Sequence, residues 1–339
     1  MPSLAVRDNL EYFYIDSGAP NATEYKTIII IHGHTFHSGT FKRLLPLAPS
    51  RSLRVIALNR REYPGTTPFS AEELRIFKSG SEEERAKLLA QQGFDLASFI
   101  STLVKQLDLP KDVTIVAWSM GNIFLMSLLS SINALPADVK GILQSSVKNI
   151  IMWDPPSQAL GITSPPGGYV PLWDDDLPPE ARGPAFGIWA ASYWKHGDIS
   201  THDLKVFNYR DAEKYPAPST ENMGEELFSV TDFTAGDKCE TVLVEPVFFG
   251  ILSRQRDKAL FDSATRDSWA GASFTHMYGD ANSWNVIYSN WFLEDKVKTL
   301  NAGKGKELIS FKLIPGANHF LMWDEPEAAL NTFEAVIKS

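Results

Sequence analysis

The stretch from Val113 to Leu129 constrains this chain more than any other. It reads Val-Thr-Ile-Val-Ala-Trp, then Ser-Met-Gly-Asn, then Ile-Phe-Leu-Met-Ser-Leu-Leu. A short apolar run rich in β-branched residues is a strand buried on both faces. The run after Gly121 has no polar side, which predicts a helix enclosed all round. As a membrane span the whole stretch is slightly short, and Ser119, Gly121 and Asn122 interrupt it. A buried strand turning at once into a buried helix belongs in a parallel sheet covered by helices on both faces.

The rest of the chain repeats that alternation. Strands are expected at Leu10–Ile15, Thr27–Ile31, Leu53–Leu58, Asn149–Trp153, Ser273–Tyr278 and Leu308–Ile314. A helix is expected over Phe94–Leu107, stopped by Leu109-Pro110. Asp324 with Glu327 reads as a capping box for a last helix whose Leu330, Phe333 and Ile337 share a face. Residues 155–265 break the rhythm. They are Pro-rich (Pro155-Pro156, Pro165-Pro166, Pro178-Pro179) and carry many aromatic rings, among them Trp189 and Phe207. An unstructured loop that long is improbable in a compact domain, so the segment is expected to be an inserted, largely helical cap. The core then comprises residues 1–154 and 266–339.

The turn Ala117-Trp-Ser119-Met-Gly121 carries the candidate chemistry. A serine on a tight strand-to-helix turn lifts its hydroxyl above the sheet. Strand and helix pack closely there, so small residues must flank it; Ala117 and Gly121 do. The amide of Met120, opening the helix, can face a developing oxyanion. After the strand at Thr27–Ile31 comes His32-Gly33-His34-Thr35-Phe36-His37, and the amide of His34, or of Thr35, is the natural second donor. The three histidines also raise a metal site, but no acidic or cysteine partner lies near them in sequence, and no metal is expected. His319, in a loop just past a strand and before the last helix, is placed to act as general base. A carboxylate should complete the set. Asp280, at the end of Ser273–Tyr278, is favoured, and Asp154, at the end of Asn149–Trp153, is its competitor. His276 lies within a strand and reads as packed.

Hydrophobic residues make up 44% of the 339 and charged residues 22%, ample for a core. The net charge of −9 shows no basic stripe, which excludes nucleic acid and disfavours an anionic membrane surface. The lone cysteine, Cys239, excludes an intrachain disulfide. No apolar leader opens the chain, and Ile337-Lys338-Ser339 is not the usual peroxisomal tripeptide, so a cytoplasmic location is expected.

His-Gly, Ala-Trp-Ser-Met-Gly, Tyr-Gly-Asp and Gly-Ala-Asn-His occur in the order found in the α/β-hydrolase superfamily, which the chain resembles outside the cap. Asn59-Arg60-Arg61-Glu-Tyr63-Pro-Gly65, Trp153-Asp-Pro-Pro and Asp280-Ala-Asn-Ser-Trp284 resemble a fungal branch associated with toxins and specialised metabolites. The resemblance implies the α/β-hydrolase fold and a Ser119–His319–Asp280 triad, and no cofactor is expected. It does not imply a substrate. Ala117 departs from the usual glycine.

The expected reaction is acyl transfer to Ser119 followed by hydrolysis of an ester, lactone or thioester. Cleavage of a carbon–carbon bond beside a ketone is the alternative, and a non-hydrolytic small-molecule binder or cyclisation catalyst is the alternative of another class. The aromatic cap suggests a bulky apolar small molecule. Thr35, Trp118, Trp153, Trp189 and Trp284 are candidates to line its pocket. For Arg60 and Arg61, which follow a strand end, a structural ion pair is expected, with binding of a substrate oxygen by one of them as the alternative.

Overall fold

The computed structural model describes residues 2–301 and 308–337; Lys338 and Ser339 of the C-terminal tripeptide lie outside them. Eight strands form one sheet: β1 (Ser3–Arg7), β2 (Leu10–Asp16), β3 (Lys26–Ile31), β4 (Leu53–Leu58), β5 (Val113–Trp118), β6 (Val147–Trp153), β7 (Ser273–Gly279) and β8 (Ser310–Ile314). Their spatial order is β1-β2-β4-β3-β5-β6-β7-β8. β1 and β2 run antiparallel, and every pairing from β4 across to β8 is parallel.

Strand periodicity divides the core into two layers. Ile29 and Ile31 of β3, Ile56 of β4 and Ile115 of β5 face one apolar cluster. Ile28, Ile30, Val55 and Val116, one residue along, face the other. The first layer is covered by α2 (Glu82–Gln106) and α3 (Gly121–Ser131), the latter buried along its whole length. Before α2 comes α1 (Ala71–Ser79), and after α3 comes α4 (Ala137–Ser146).

α2 begins twelve residues before the expected Phe94. Its first turns are charged and present few apolar side chains, so periodicity misses them. A Ser81–Glu84 capping box starts the helix instead. Asp324 does not cap the last helix. It ends the short helix Leu321–Asp324, and its carboxylate accepts from Tyr193 Oη (2.9 Å) and Asn222 Nδ2 (3.3 Å) of the inserted segment. The last helix starts at Pro326, and Leu330, Phe333 and Ile337 are buried as expected.

Residues 155–265 contain no strand among the described residues, only helices and short helical turns. α5 (Pro179–Ala191) contributes Trp189 and Ala190 to the second layer. The helix Pro246–Leu260 behaves differently: its Phe248, Ile251 and Leu252 pack in the first layer with α2 and α3. No helix among the described residues is long and apolar enough to cross a membrane.

Candidate active site

Ser119 sits on the turn from β5 into α3 with φ +56°. Such a backbone is uncommon and strained outside glycine, and it persists only where neighbours over-determine it. Here they do. Ser119 N donates to Trp153 O (2.8 Å), and Asn122 Nδ2 donates to the carbonyls of Ala117 and Ser119 (2.9 Å each). Gly121 is obligatory, since a Cβ there would stand 2.5 Å from Ile31 O. A Cβ on Gly33 would stand 2.7 Å from Ser119 Cβ, so the His-Gly loop passes directly against the serine.

His319 follows β8 and lines the same narrow cavity as Ser119 and Met120. Its ring packs against Trp118 (centroids 4.8 Å), and its carbonyl accepts from Trp118 Nε1 (3.0 Å). Nδ1 of His319 lies 3.4 Å from Oδ2 of Asp154. That is ion-pair range but outside good hydrogen-bond alignment, and neither atom has another partner among the described residues. Looseness of this kind is ordinary before substrate is bound.

The carboxylate that faces His319 is therefore Asp154, not the favoured Asp280. Asp154 is fully buried, at φ +46° beyond β6, and its Oδ1 accepts from Gly279 N (3.1 Å). Burial raises its carboxyl pKa, opposed by His319 and by the Gly279 amide. Asp280 is partly exposed and accepts from Gly316 N (2.6 Å), bracing the loop that leads to His319. Both aspartates end strands. Only the sheet's curvature and loop paths decide which of them meets the histidine.

Among the described residues, the amides of His34 and Met120 have no acceptor, whereas that of Thr35 donates to Tyr63 Oη (2.8 Å). Thr35 is thus not available as the second oxyanion donor. The three loop histidines are occupied by local bonds. His32 bonds Gly33 O and accepts from Arg60 N, His34 bonds Thr35 and Thr241, and His37 accepts from Gly39 N. Burial lowers the pKa of each.

Arg60 is buried and donates to His32 O (3.0 Å) and Gly33 O (2.7 Å). Its charge is paired with Glu240 of the inserted segment, which also accepts from Tyr63 Oη. Arg61 forms a two-pronged pair with Glu73 (2.6 and 2.9 Å). Neither arginine lines the serine's cavity. Of the expected pocket residues only Trp189 does. Trp118 packs on His319, Trp153 on Phe333 (5.2 Å) and Trp284 on Tyr209 (5.6 Å), all within the core, and Thr35 is buried beside Tyr63. The apolar wall includes Val170, Leu172, Trp173 and Phe186, and the polar wall is Gln158, Ser283 and Asn285. The sequence did not single out these three, because a lone hydroxyl or amide in a loop or a helix's first turn carries no signal by itself. A second hollow, by Lys26, Arg51 and Lys111, lies at the opposite ends of the strands and is lined by neither histidine nor cysteine.

The sequence matches the alpha/beta hydrolase family over residues 28–332. The chain belongs to that family. No curated protein matches it significantly. Solved structures share its fold at low identity. A bromoperoxidase from Bacillus anthracis is 14% identical, with a TM-score of 0.51 over 97% of this chain and 96% of that one. An esterase from Exiguobacterium antarcticum is 14% identical, with 0.50 over 98% and 97%. A laboratory-evolved variant of potato epoxide hydrolase is 15% identical, with 0.50 over 99% and 98%. The eight-stranded, mostly parallel sheet of this chain is the α/β-hydrolase fold.

Proposed function

We propose that this α/β-hydrolase is a serine hydrolase cleaving an ester-type bond, whether carboxylester, lactone or thioester, in a bulky, largely apolar small molecule. The observation that carries the reading is Ser119 at φ +56°, in one cavity with a histidine whose Nδ1 faces a buried carboxylate. In this reading Ser119 attacks the carbonyl and His319 takes its proton. Asp154 stabilises the imidazolium and selects its tautomer. The amides of Met120 and His34 hold the oxyanion, and α3 adds its dipole. Water then releases the acyl group by the same route. A serine at the turn, rather than an aspartate, favours acyl transfer over epoxide opening. The resemblance to the fungal branch points to a specialised metabolite as substrate.

The test is covalent. An aryl phosphonate incubated with folded protein should add one phosphonyl group, mapped to Ser119 by peptide mass spectrometry. The Ser119→Ala variant should not be labelled. Absence of label on folded wild type, or label elsewhere, removes the nucleophile from the reading.

A further inference from the structure

The cavity at Ser119 has an uneven chemistry. Val170, Leu172, Phe186 and Trp189 form an apolar wall, while Gln158 and Asn285 stand together on the other. Gln158 lies on the turn after β6 and Asn285 at the start of the helix Trp284–Asn301; they are 2% and 5% exposed. Asn285 Nδ2 donates to Gln158 Oε1 (3.0 Å), which also accepts from Ser157 Oγ (3.3 Å). Gln158 Nε2 donates to Ser164 Oγ (3.1 Å), and Asn285 Oδ1 accepts from Ser283 Oγ (2.8 Å).

Counting bonds shows what is left over. A carboxamide NH2 has two N–H donors. Each amide uses one, so Gln158 and Asn285 each keep one N–H, while Gln158 Oε1 is already doubly occupied. Buried spare donors call for an acceptor. No Lys, Arg, Asp or Glu lines the cavity, and His319 is its one titratable group. A charged substrate group would therefore be desolvated there with no partner.

Resting on the function proposed above, we infer that the substrate is uncharged. We also infer that it bears, apart from its scissile carbonyl, a neutral acceptor oxygen of the ketone or ether kind, held by the free N–H groups of Gln158 and Asn285. The remaining substrate surface is hydrocarbon against the apolar wall. This makes the two carboxamides a specificity-determining pair.

Matched acetates test it: hexyl acetate, 4-oxohexyl and 5-oxohexyl acetate, and 6-acetoxyhexanoate. At least one keto ester should show kcat/KM about tenfold above hexyl acetate, the effect of one well-made hydrogen bond in a site built for it. The carboxylate ester should fall at least tenfold below. In Asn285→Leu and Gln158→Leu the preference for the keto ester should collapse towards unity. Keto esters no better than hexyl acetate, a preference that survives both substitutions, or a carboxylate ester turned over as well as the neutral ones would each overturn the inference. If both variants misfold, the wild-type ratios alone decide. If none of the four is hydrolysed, phosphonate labelling of Ser119 decides the proposed function, and the subsite is still judged by calorimetric binding of the same four esters to Ser119→Ala protein. Equal affinities, or no binding of any, overturn it.

Discussion

Asp154 and Asp280 end neighbouring parallel strands, yet only one has its carboxylate against His319. At the scale of single residues this separates two variants that look alike on paper. Asp154→Asn keeps the shape but loses the charge and the tautomer control, and kcat on an activated ester should drop about 10³–10⁴-fold. Asp280→Asn keeps an acceptor for Gly316 N and should change kcat less than about threefold. The reverse pattern would restore Asp280 to the triad. Gly33 gives a second residue-scale prediction. In Gly33→Ala the new methyl would overlap Ser119, 2.7 Å from its Cβ, and displace the proposed nucleophile. Turnover should fall about 10²-fold while circular dichroism shows the fold retained. Ser119, Gly121 and His319 were legible because each obeys a local rule of turn or loop. The carboxylate that faces His319 was not, because two strand ends satisfied the same rule and the deciding quantity is a distance between loops. Four of the five expected pocket residues failed for a related reason. An aromatic ring marks apolar surroundings equally well inside a core and at a cavity wall.

At the scale of elements, the His-Gly loop is held from outside itself. Arg60 grips the carbonyls of His32 and Gly33, Tyr63 accepts from Thr35 N, and Glu240 binds both Arg60 and Tyr63. Glu240 belongs to the helical turn Gly236–Glu240 of the inserted segment, and Gly236 lies so close to the loop that a Cβ would be 2.8 Å from the ring of His34. The segment therefore shapes the loop that carries a proposed oxyanion donor. Tyr63→Phe should lower kcat about tenfold with little change in KM, because it frees the Thr35 amide without touching the cavity wall. Glu240→Gln leaves Arg60 charged and unpaired in the interior and should destabilise the protein by about 3–5 kcal/mol in urea titrations. Elements with strong apolar periodicity were readable, β3 and α3 above all. The charged first half of α2 and the antiparallel β1 were not, since their formation depends on a cap and on a partner strand rather than on a pattern of their own.

At the scale of the whole molecule, buried neutral histidines set the acid limb of stability. Burial lowers His276 to about 3 and His37 to about 4. Both nitrogens of His276 lack a partner among the described residues. The unfolded chain binds these protons near pH 6.5 and the folded chain only far lower, so stability is full above about pH 6.5 and is lost as the pH falls towards 4. Asp154, with its raised pKa, acts in the opposite sense, its unfavourable burial easing as acid is added. Thermal midpoints should therefore fall from pH 7 to pH 5. In His276→Leu the fall should be shallower by up to one proton, about 1.4 kcal/mol per pH unit; equal slopes would show that His276 does not contribute. The fold class was readable at this scale because strands and helices alternate along the chain, and β3, β4 and β5 are apolar runs of the kind covered on both faces. The Arg60–Glu240 pair has a consequence for inheritance and engineering. The inserted segment is not an interchangeable module. A corresponding segment transplanted from another member of the family, lacking a carboxylate where Glu240 stands, would leave the Arg60 guanidinium stranded, so changes of residues 155–265 and of residue 60 must travel together.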